Sequence, residues 1–174
     1  MALSFTWDPK LTDGLKEQII ELWVAVTNAG GAVGFVAPVT TEDVLATAGA
    51  AFDGVAGGVD HLLAGFDGHR LVALLFVTDN RFDLKAHWRV LKRVMVAPGS
   101  QGKGYGAALM AEAAGFGRRV GLAGLQVSVR AGHGTERFYE RLGYREVGRL
   151  PAALRIGPGD YRDEILMWLP LSQL

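Results

Sequence analysis

The stretch Val94-Met95-Val96-Ala97-Pro98-Gly99-Ser100-Gln101-Gly102-Lys103-Gly104-Tyr105-Gly106 decides how the rest of this chain is read. The alternating apolar residues before Pro98 predict a strand entering the turn. An amphipathic helix is expected to leave it over 103–120, with Leu109, Ala113, Phe116 and Val120 on one stripe. Glycines at such a junction let the backbone turn tightly and bring its N–H groups close to a ligand. A helix start adds unpaired N–H donors and roughly half a positive charge from the aligned peptide dipoles. Together these features suit a pyrophosphate. The plainer reading is a glycine-rich turn with no ligand, in a chain that has 24 glycines. Three glycines at alternate positions beside Lys103, placed at a strand-to-helix junction, weigh against it.

Other phosphate-binding loops fit less well. A Walker A loop needs Ser or Thr after Gly-Lys, but Gly102-Lys103 is followed by Gly104, and Ala97 stands where the leading glycine belongs. The dinucleotide pattern G-x-G-x-x-A does match from Gly102 to Ala107. That fold needs several further strand-helix units, and the strand ending at Val129-Arg130 offers no acidic residue for a ribose. An NADP-binding domain is the weaker alternative.

Before the loop, Leu15, Ile19, Leu22, Trp23 and Val26 recur at helical spacing, with Thr12 or Asp13 available as N-cap. A glycine-rich break over 29–35 closes at Pro38, and Thr40 or Thr41 then caps a second helix running toward Phe52. Strands at 61–66 and 70–77 are joined by Asp67-Gly68, a hairpin signal. A third strand covers 86–96, with Val90, Val94 and Val96 on one face and Leu91, Arg93 and Met95 on the other. Beyond the loop helix come a strand at 125–129, a short helix at 135–142, a strand from Tyr144, a loop over 150–162 rich in Pro and Gly, and a last strand at 164–169. The expectation is one mixed α/β domain spanning 1–174, without repeats or linkers.

Composition narrows the function. Eighteen basic residues offset eighteen acidic ones, so no strong field steers the chain toward nucleic acid or an anionic membrane. There is no cysteine, which removes disulfides, thiolate metal sites and a cysteine nucleophile. Apolar runs such as 71–77 are too short to span a bilayer, and the first ten residues do not read as a signal peptide. A cytoplasmic protein with no metal and no nucleic-acid or membrane partner is expected.

The loop, taken with a second motif, resembles a known family. Gln101-Gly102-Lys103-Gly104-Tyr105-Gly106, preceded by Val96-x-Pro98, looks like the (Arg or Gln)-x-x-Gly-x-(Gly or Ala) signature of the GNAT superfamily of N-acetyltransferases. Arg137-Phe138-Tyr139-Glu140-Arg141-Leu142-Gly143-Tyr144 resembles that family's second block, Phe-Tyr-x-x-x-Gly-Phe. The close likeness covers about 90–147; the N-terminal half agrees in element order alone. The resemblance implies a central mixed, largely antiparallel sheet of about six to seven strands flanked by about four helices. It also implies acetyl-CoA as cosubstrate, lying in a V-shaped opening where the strand ending at Val96 splays from the strand at 125–129. The pantetheine arm would pair with the backbone of Met95 and Val96, like an added strand. The pyrophosphate would accept from N–H groups of Gln101, Gly102, Lys103, Gly104, Tyr105, Gly106 and Ala107, with Phe138 and Arg141 also on the cofactor's side.

By the same resemblance, Tyr139 is the general acid for the departing thiolate, and the Val96 N–H faces the thioester oxygen as charge builds there. The alternative for Tyr139 is packing against the cofactor. An amine of pKa around 10 must lose a proton before it attacks. Many family members place a glutamate on the long strand for this, but here that strand offers His87, Arg89, Lys92 and Arg93 and no acid. His87 or His133 could serve as base, as could Asp79 or Asp83, although each is more often a solvated or structural residue. The family's second block often starts with Asn seven residues before the Tyr; this chain has Gly132 there. The acceptor is expected to be a small primary amine, shaped by the stretch 30–35, the turn 78–85 and the loop 150–162. A protein lysine or N-terminal amine is the runner-up, and an acyl-CoA-binding sensor without catalysis is the non-enzyme reading. The late strands, 144–149 and 164–169, are compatible with a homodimer.

Overall fold

The computed structural model describes residues 3–172. In chain order the elements are β1 (Leu3–Trp7), α1 (Asp13–Asn28), α2 (Thr41–Ala56), β2 (His61–Asp67), β3 (Arg70–Thr78), β4 (Trp88–Val96), α3 (Tyr105–Arg119), β5 (Gly124–Arg130), α4 (Thr135–Arg141), β6 (Arg145–Gly157) and β7 (Asp160–Pro170). Single turns of 3-10 helix stand at Asp83–Lys85 and Pro98–Ser100. The strands form a seven-stranded sheet in the order β1-β2-β3-β4-β5-β7-β6. This is the mixed α/β class expected, with seven strands and four α-helices among the described residues. By contacts the chain divides into two compact units, Met1–Asp79 with Leu91–Ala113, and Asn80–Val90 with Ala114–Leu174.

In the first unit, the Thr12 side chain accepts the Leu15 N–H at 3.3 Å and starts α1, whose Leu15, Ile19, Leu22, Trp23 and Val26 are buried as their spacing demands. Thr40 and Asp43 form a reciprocal capping box at α2. β2 and β3 pair from His61↔Val77 to Asp67↔Arg70 around the two-residue turn Gly68-His69, where Gly68 has φ +62°. The core gathers Ile19, Trp23, Val44, Ala48, Leu62, Leu74 and Met95, each nearly inaccessible to water. Burying each of the larger of these side chains stabilises the fold by about 1.5–3 kcal/mol. β1 was not foreseen: it lies antiparallel to β2, from Leu3↔Asp67 to Trp7↔Leu63, at the margin of the sheet.

In the second unit, Trp88–Val90 of β4 runs parallel to Gly124–Gln126 of β5, and β5 pairs antiparallel with β7 along Gly124↔Pro170 to Arg130↔Glu164. Trp168 lies across Gly124, where a Cβ would overlap the indole, and meets Trp88 edge-on at 5.5 Å. The expected loop over 150–162 is instead the far part of a long hairpin, β6 against β7, turned at Pro158-Gly159 with Gly159 at φ +72°. Its prolines and glycines mislead for a physical reason. β6 is the last strand of the sheet, where a missing N–H costs no ladder bond on the open side. Pro151 also falls inside a register shift between Leu150↔Glu164 and Leu154↔Arg162. Asp163 secures that irregularity by accepting the Ala152 N–H at 3.0 Å, and Ala152 itself has φ +51°.

Candidate active site

The loop between β4 and α3 is built as its sequence requires. Ala97 donates to the Val72 carbonyl at 2.8 Å, which fixes the exit of β4, and Pro98 opens a 3-10 turn closed by Ser100 N–H to Ala97 carbonyl at 2.8 Å. Gly102 and Gly104 then take φ +78° and +81°, a region that side-chain-bearing residues rarely enter. No atom beyond the chain neighbours lies within 4 Å of where a Cβ would stand at Gly99, Gly102 or Gly104, so the backbone here faces open space. Gln101, Gly102, Lys103 and Gly104 are exposed. The first backbone bond of the helix runs from Ala108 N–H to the Gly104 carbonyl at 3.0 Å. Gln101 N–H, further back, donates to the Pro98 carbonyl at 3.5 Å, and the amides next to the helix are the donors that a helix start leaves without an internal partner. Its first turn carries no acidic side chain, so nothing negative competes for that end of the dipole. Lys103 Nζ sits over the Tyr105 ring at 5.9 Å, and the Gln101 side chain reaches back to the Val96 carbonyl at 3.4 Å. An exposed, glycine-lined row of amides with a lysine beside it fits a diphosphate.

β4 also holds a residue to which sequence reading gave no role. Arg93 has φ +55°, a left-handed conformation that costs a non-glycine residue about 1–3 kcal/mol. Its guanidinium lies 5.3 Å from the centre of the Trp23 ring and presses on Gly34, where a Cβ would overlap Nη1. Trp23 is held by its indole N–H to the Val33 carbonyl, 2.9 Å, and meets Phe35 edge-on at 6.1 Å. The stretch 30–35 is therefore no loose connector. Asn28 pins its far end by bonds of 2.9 and 2.8 Å to the Val39 carbonyl and N–H. Arg93 was visible in the sequence as a charge on the same strand face as Leu91 and Met95, which are both buried. A cation at an inward position was the signal that could have singled it out.

In the second unit, the short α4 follows Gly134, whose φ of +67° turns the chain into the helix. Tyr139 is 7% exposed, its ring edge-on to Phe138 at 5.1 Å and to Tyr144 at 5.6 Å. Burial pushes its phenol up to about 12. Tyr144 is raised as well, by burial first and by Tyr139 second. Gly132, the position where the family pattern often has Asn, takes φ +99°, and a Cβ there would stand 3.2 Å from Arg162 Nη1. The backbone at this point requires glycine, so the substitution is built into the local geometry. Phe138 is half-buried and Arg141 exposed.

The base candidates are scattered. His87 and His133 are exposed, and the His87 carbonyl is taken by the Ala123 N–H at 2.7 Å. Asp79 lies at the end of the first unit, its N–H donated to Asp60 at 2.9 Å, while Asp83 is exposed in a 3-10 turn. Among the described residues, no group of three or more His, Asp or Glu side chains is placed to hold a metal ion.

A mixed sheet whose fourth strand passes through a glycine-lined amide row into a helix is an α/β arrangement suited to a phosphate-bearing cofactor. The acetyltransferase (GNAT) domain profile matches residues 58–146, half of the chain, and the protein belongs to that acetyltransferase family. Solved structures share the fold across the whole length. YncA of Salmonella typhimurium, solved with its cofactor acetyl-CoA, is 20% identical, with TM-score 0.77, covering 100% of this chain and 96% of that one. The ribosomal-protein-S18-alanine N-acetyltransferase of Escherichia coli is 18% identical, with TM-score 0.72, covering 99% and 96%. An N-acetyltransferase of Staphylococcus aureus is 10% identical, with TM-score 0.79, covering 99% and 100%. No protein of curated function matches the sequence.

Proposed function

We propose that this acetyltransferase uses acetyl-CoA and delivers the acetyl group to the primary amine of a small molecule by direct attack in a ternary complex. The observation that carries the reading is the amide row at Gln101 to Ala107, exposed from Gln101 to Gly104, open where a Cβ would stand at Gly102 and Gly104, and leading into the start of α3. In that role the amides of Gln101, Gly102, Lys103, Gly104, Tyr105, Gly106 and Ala107 hold the diphosphate, and the backbone of Met95 and Val96 holds the pantetheine arm. Acetyl-CoA, when bound, supplies an activated thioester carbonyl. The Val96 N–H supplies a donor for charge building on the carbonyl oxygen, and Tyr139 holds a proton at Oη for the departing sulfur. His87 and His133 are the candidates for taking the proton from the amine.

Titration calorimetry with acetyl-CoA tests the first half of this reading, and release of free CoA with an amine panel tests the second. No heat and no CoA would overturn it. Binding without release would leave an acyl-CoA sensor. A second reading is supported by the fold likeness to two ribosomal-protein alanine N-acetyltransferases, from Escherichia coli and Brucella melitensis. It makes a protein N-terminal amine the acceptor, and intact-mass detection of a single acetyl on a peptide panel would favour it over small amines.

A further inference from the structure

Arg93 is a half-buried cation in the first unit. This cation stands on β4 three residues before Val96, in the first unit's core of Trp23, Phe35 and Met95. It is half-buried, with the Trp23 ring on one side and the Gly34 backbone on another. Burial lowers its pKa, and no acidic neighbour acts in the opposite sense. Structural arginines in such places are normally met by a carboxylate, since a desolvated charge without a counter-charge is costly. Elsewhere in the chain, Arg149 meets Glu146 and Asp163, and Arg162 meets Asp160. Among the described residues, Arg93 meets the Trp23 indole face and no carboxylate, which leaves the edge N–H donors of the fork for another group.

Three further observations say that the position is built rather than incidental. The backbone at Arg93 is held in the left-handed region. Gly34, at φ +101°, leaves out the side chain that would collide with the guanidinium. Trp23 is locked by its bond to Val33 in the same stretch. A planar fork beside an aromatic wall favours a planar anion bound by two parallel hydrogen bonds. Arg93 and Val96 stand three residues apart on the same strand, and the arginine's long side chain lets its fork serve a group on a molecule held near Val96.

We infer that Arg93 is a specificity-determining residue that binds the carboxylate of the acceptor, and that the acceptor is a small amino acid or amino-acid-like amine. The inference rests on the acetyl-transfer reading above and adds the substrate class to it.

The test compares one amine in three forms, amino acid, methyl ester and decarboxylated amine, by CoA release from the wild-type chain and from R93Q and R93K. The wild type is expected to prefer the free carboxylate by roughly 10- to 100-fold in kcat/KM, the range of a charge-assisted bond. The difference should lie mainly in KM. R93Q is expected to bring the acid down to the level of the ester, and R93K to recover part of the preference. Calorimetry with acetyl-CoA should give the same Kd for all three proteins, which shows that the variants are folded. Equal rates on all three forms in the wild type would overturn the role of Arg93 while leaving acetyl transfer standing. A carboxylate preference that survives in a folded R93Q would also overturn it. No CoA release from any amine would overturn acetyl transfer itself.

Discussion

Tyr139, the proposed proton donor, shows what burial does to a phenol. With its phenol pushed up to about 12, it stays protonated throughout the range where an enzyme works. A thiol is a stronger acid than so buried a phenol, so complete transfer of the phenolic proton to sulfur would be uphill. Tyr139 therefore serves best by hydrogen-bonding to sulfur as charge appears there. Tyr139→Phe is expected to lower kcat by roughly 10²- to 10⁴-fold with acetyl-CoA affinity nearly unchanged. Steady-state kinetics beside calorimetry separate the two, and unchanged turnover would remove Tyr139 from the chemistry. The sign of its linkage to folding follows from the same shift. The folded pKa lies above the unfolded value of 10.0, so the contribution is whole below about pH 10 and is lost as pH rises through about 12.

Gly104 is the matching case for backbone. A Cβ would meet no neighbour there, so a substitution suffers from conformation alone, at φ +81°. Gly104→Val is expected to leave the fold standing and weaken acetyl-CoA by tenfold or more, as the amide row rearranges. Gly99→Ala, at a position with equally open space and no positive φ, is the control that should bind normally. Equal affinities in all three proteins would sink the cradle.

Helices and strands differ in how plainly the chain announces them. α1 and α2 were legible because their caps are local and chemical: Thr12 accepts the Leu15 N–H, and Thr40 trades bonds with Asp43. Thr12→Ala should accordingly cost about 1 kcal/mol, measured as a lower urea midpoint at unchanged slope. The Thr40 bonds hold the Asp43 carboxyl below its ordinary value, so the support they give α2 is complete above about pH 4 and fades as acid protonates the group. β1 was missed because five residues of Leu-Ser-Phe-Thr-Trp gain their meaning only from β2 lying beside them. β6 was misread because prolines and glycines are loop signals only where both sides of a strand are paired; at the margin of a sheet they are tolerated. The loop signature around Gly102 and the Tyr139 block were enough to point to the family, because both are short local patterns, glycines at a strand-to-helix junction and an aromatic pair before a glycine. Arg93 stands out in the sequence only as a cation on an apolar strand face; its neighbours, Trp23 seventy positions earlier and the turn at Gly34, come from the fold.

For the molecule entire, the question is what a bound cosubstrate does to stability. A ligand that binds only the folded chain stabilises it by RT ln(1 + [L]/Kd), about 2.7 kcal/mol at a hundredfold excess over Kd. In a chain of 174 residues each kcal/mol moves Tm by about 2–4 °C. Acetyl-CoA at that excess should then raise Tm by roughly 5–10 °C, and NADP, the ligand of the weaker dinucleotide reading, should not. The same melt distinguishes which part of the cosubstrate is held. CoA without its acetyl group keeps the diphosphate and the pantetheine arm, so most of the shift should persist with it. An acetylated pantetheine lacking the diphosphate should lose most of the shift, because the amides from Gln101 to Ala107 then have nothing to hold. A shift of equal size from that truncated compound would move the binding energy away from the glycine loop and onto the strand edge at Met95 and Val96.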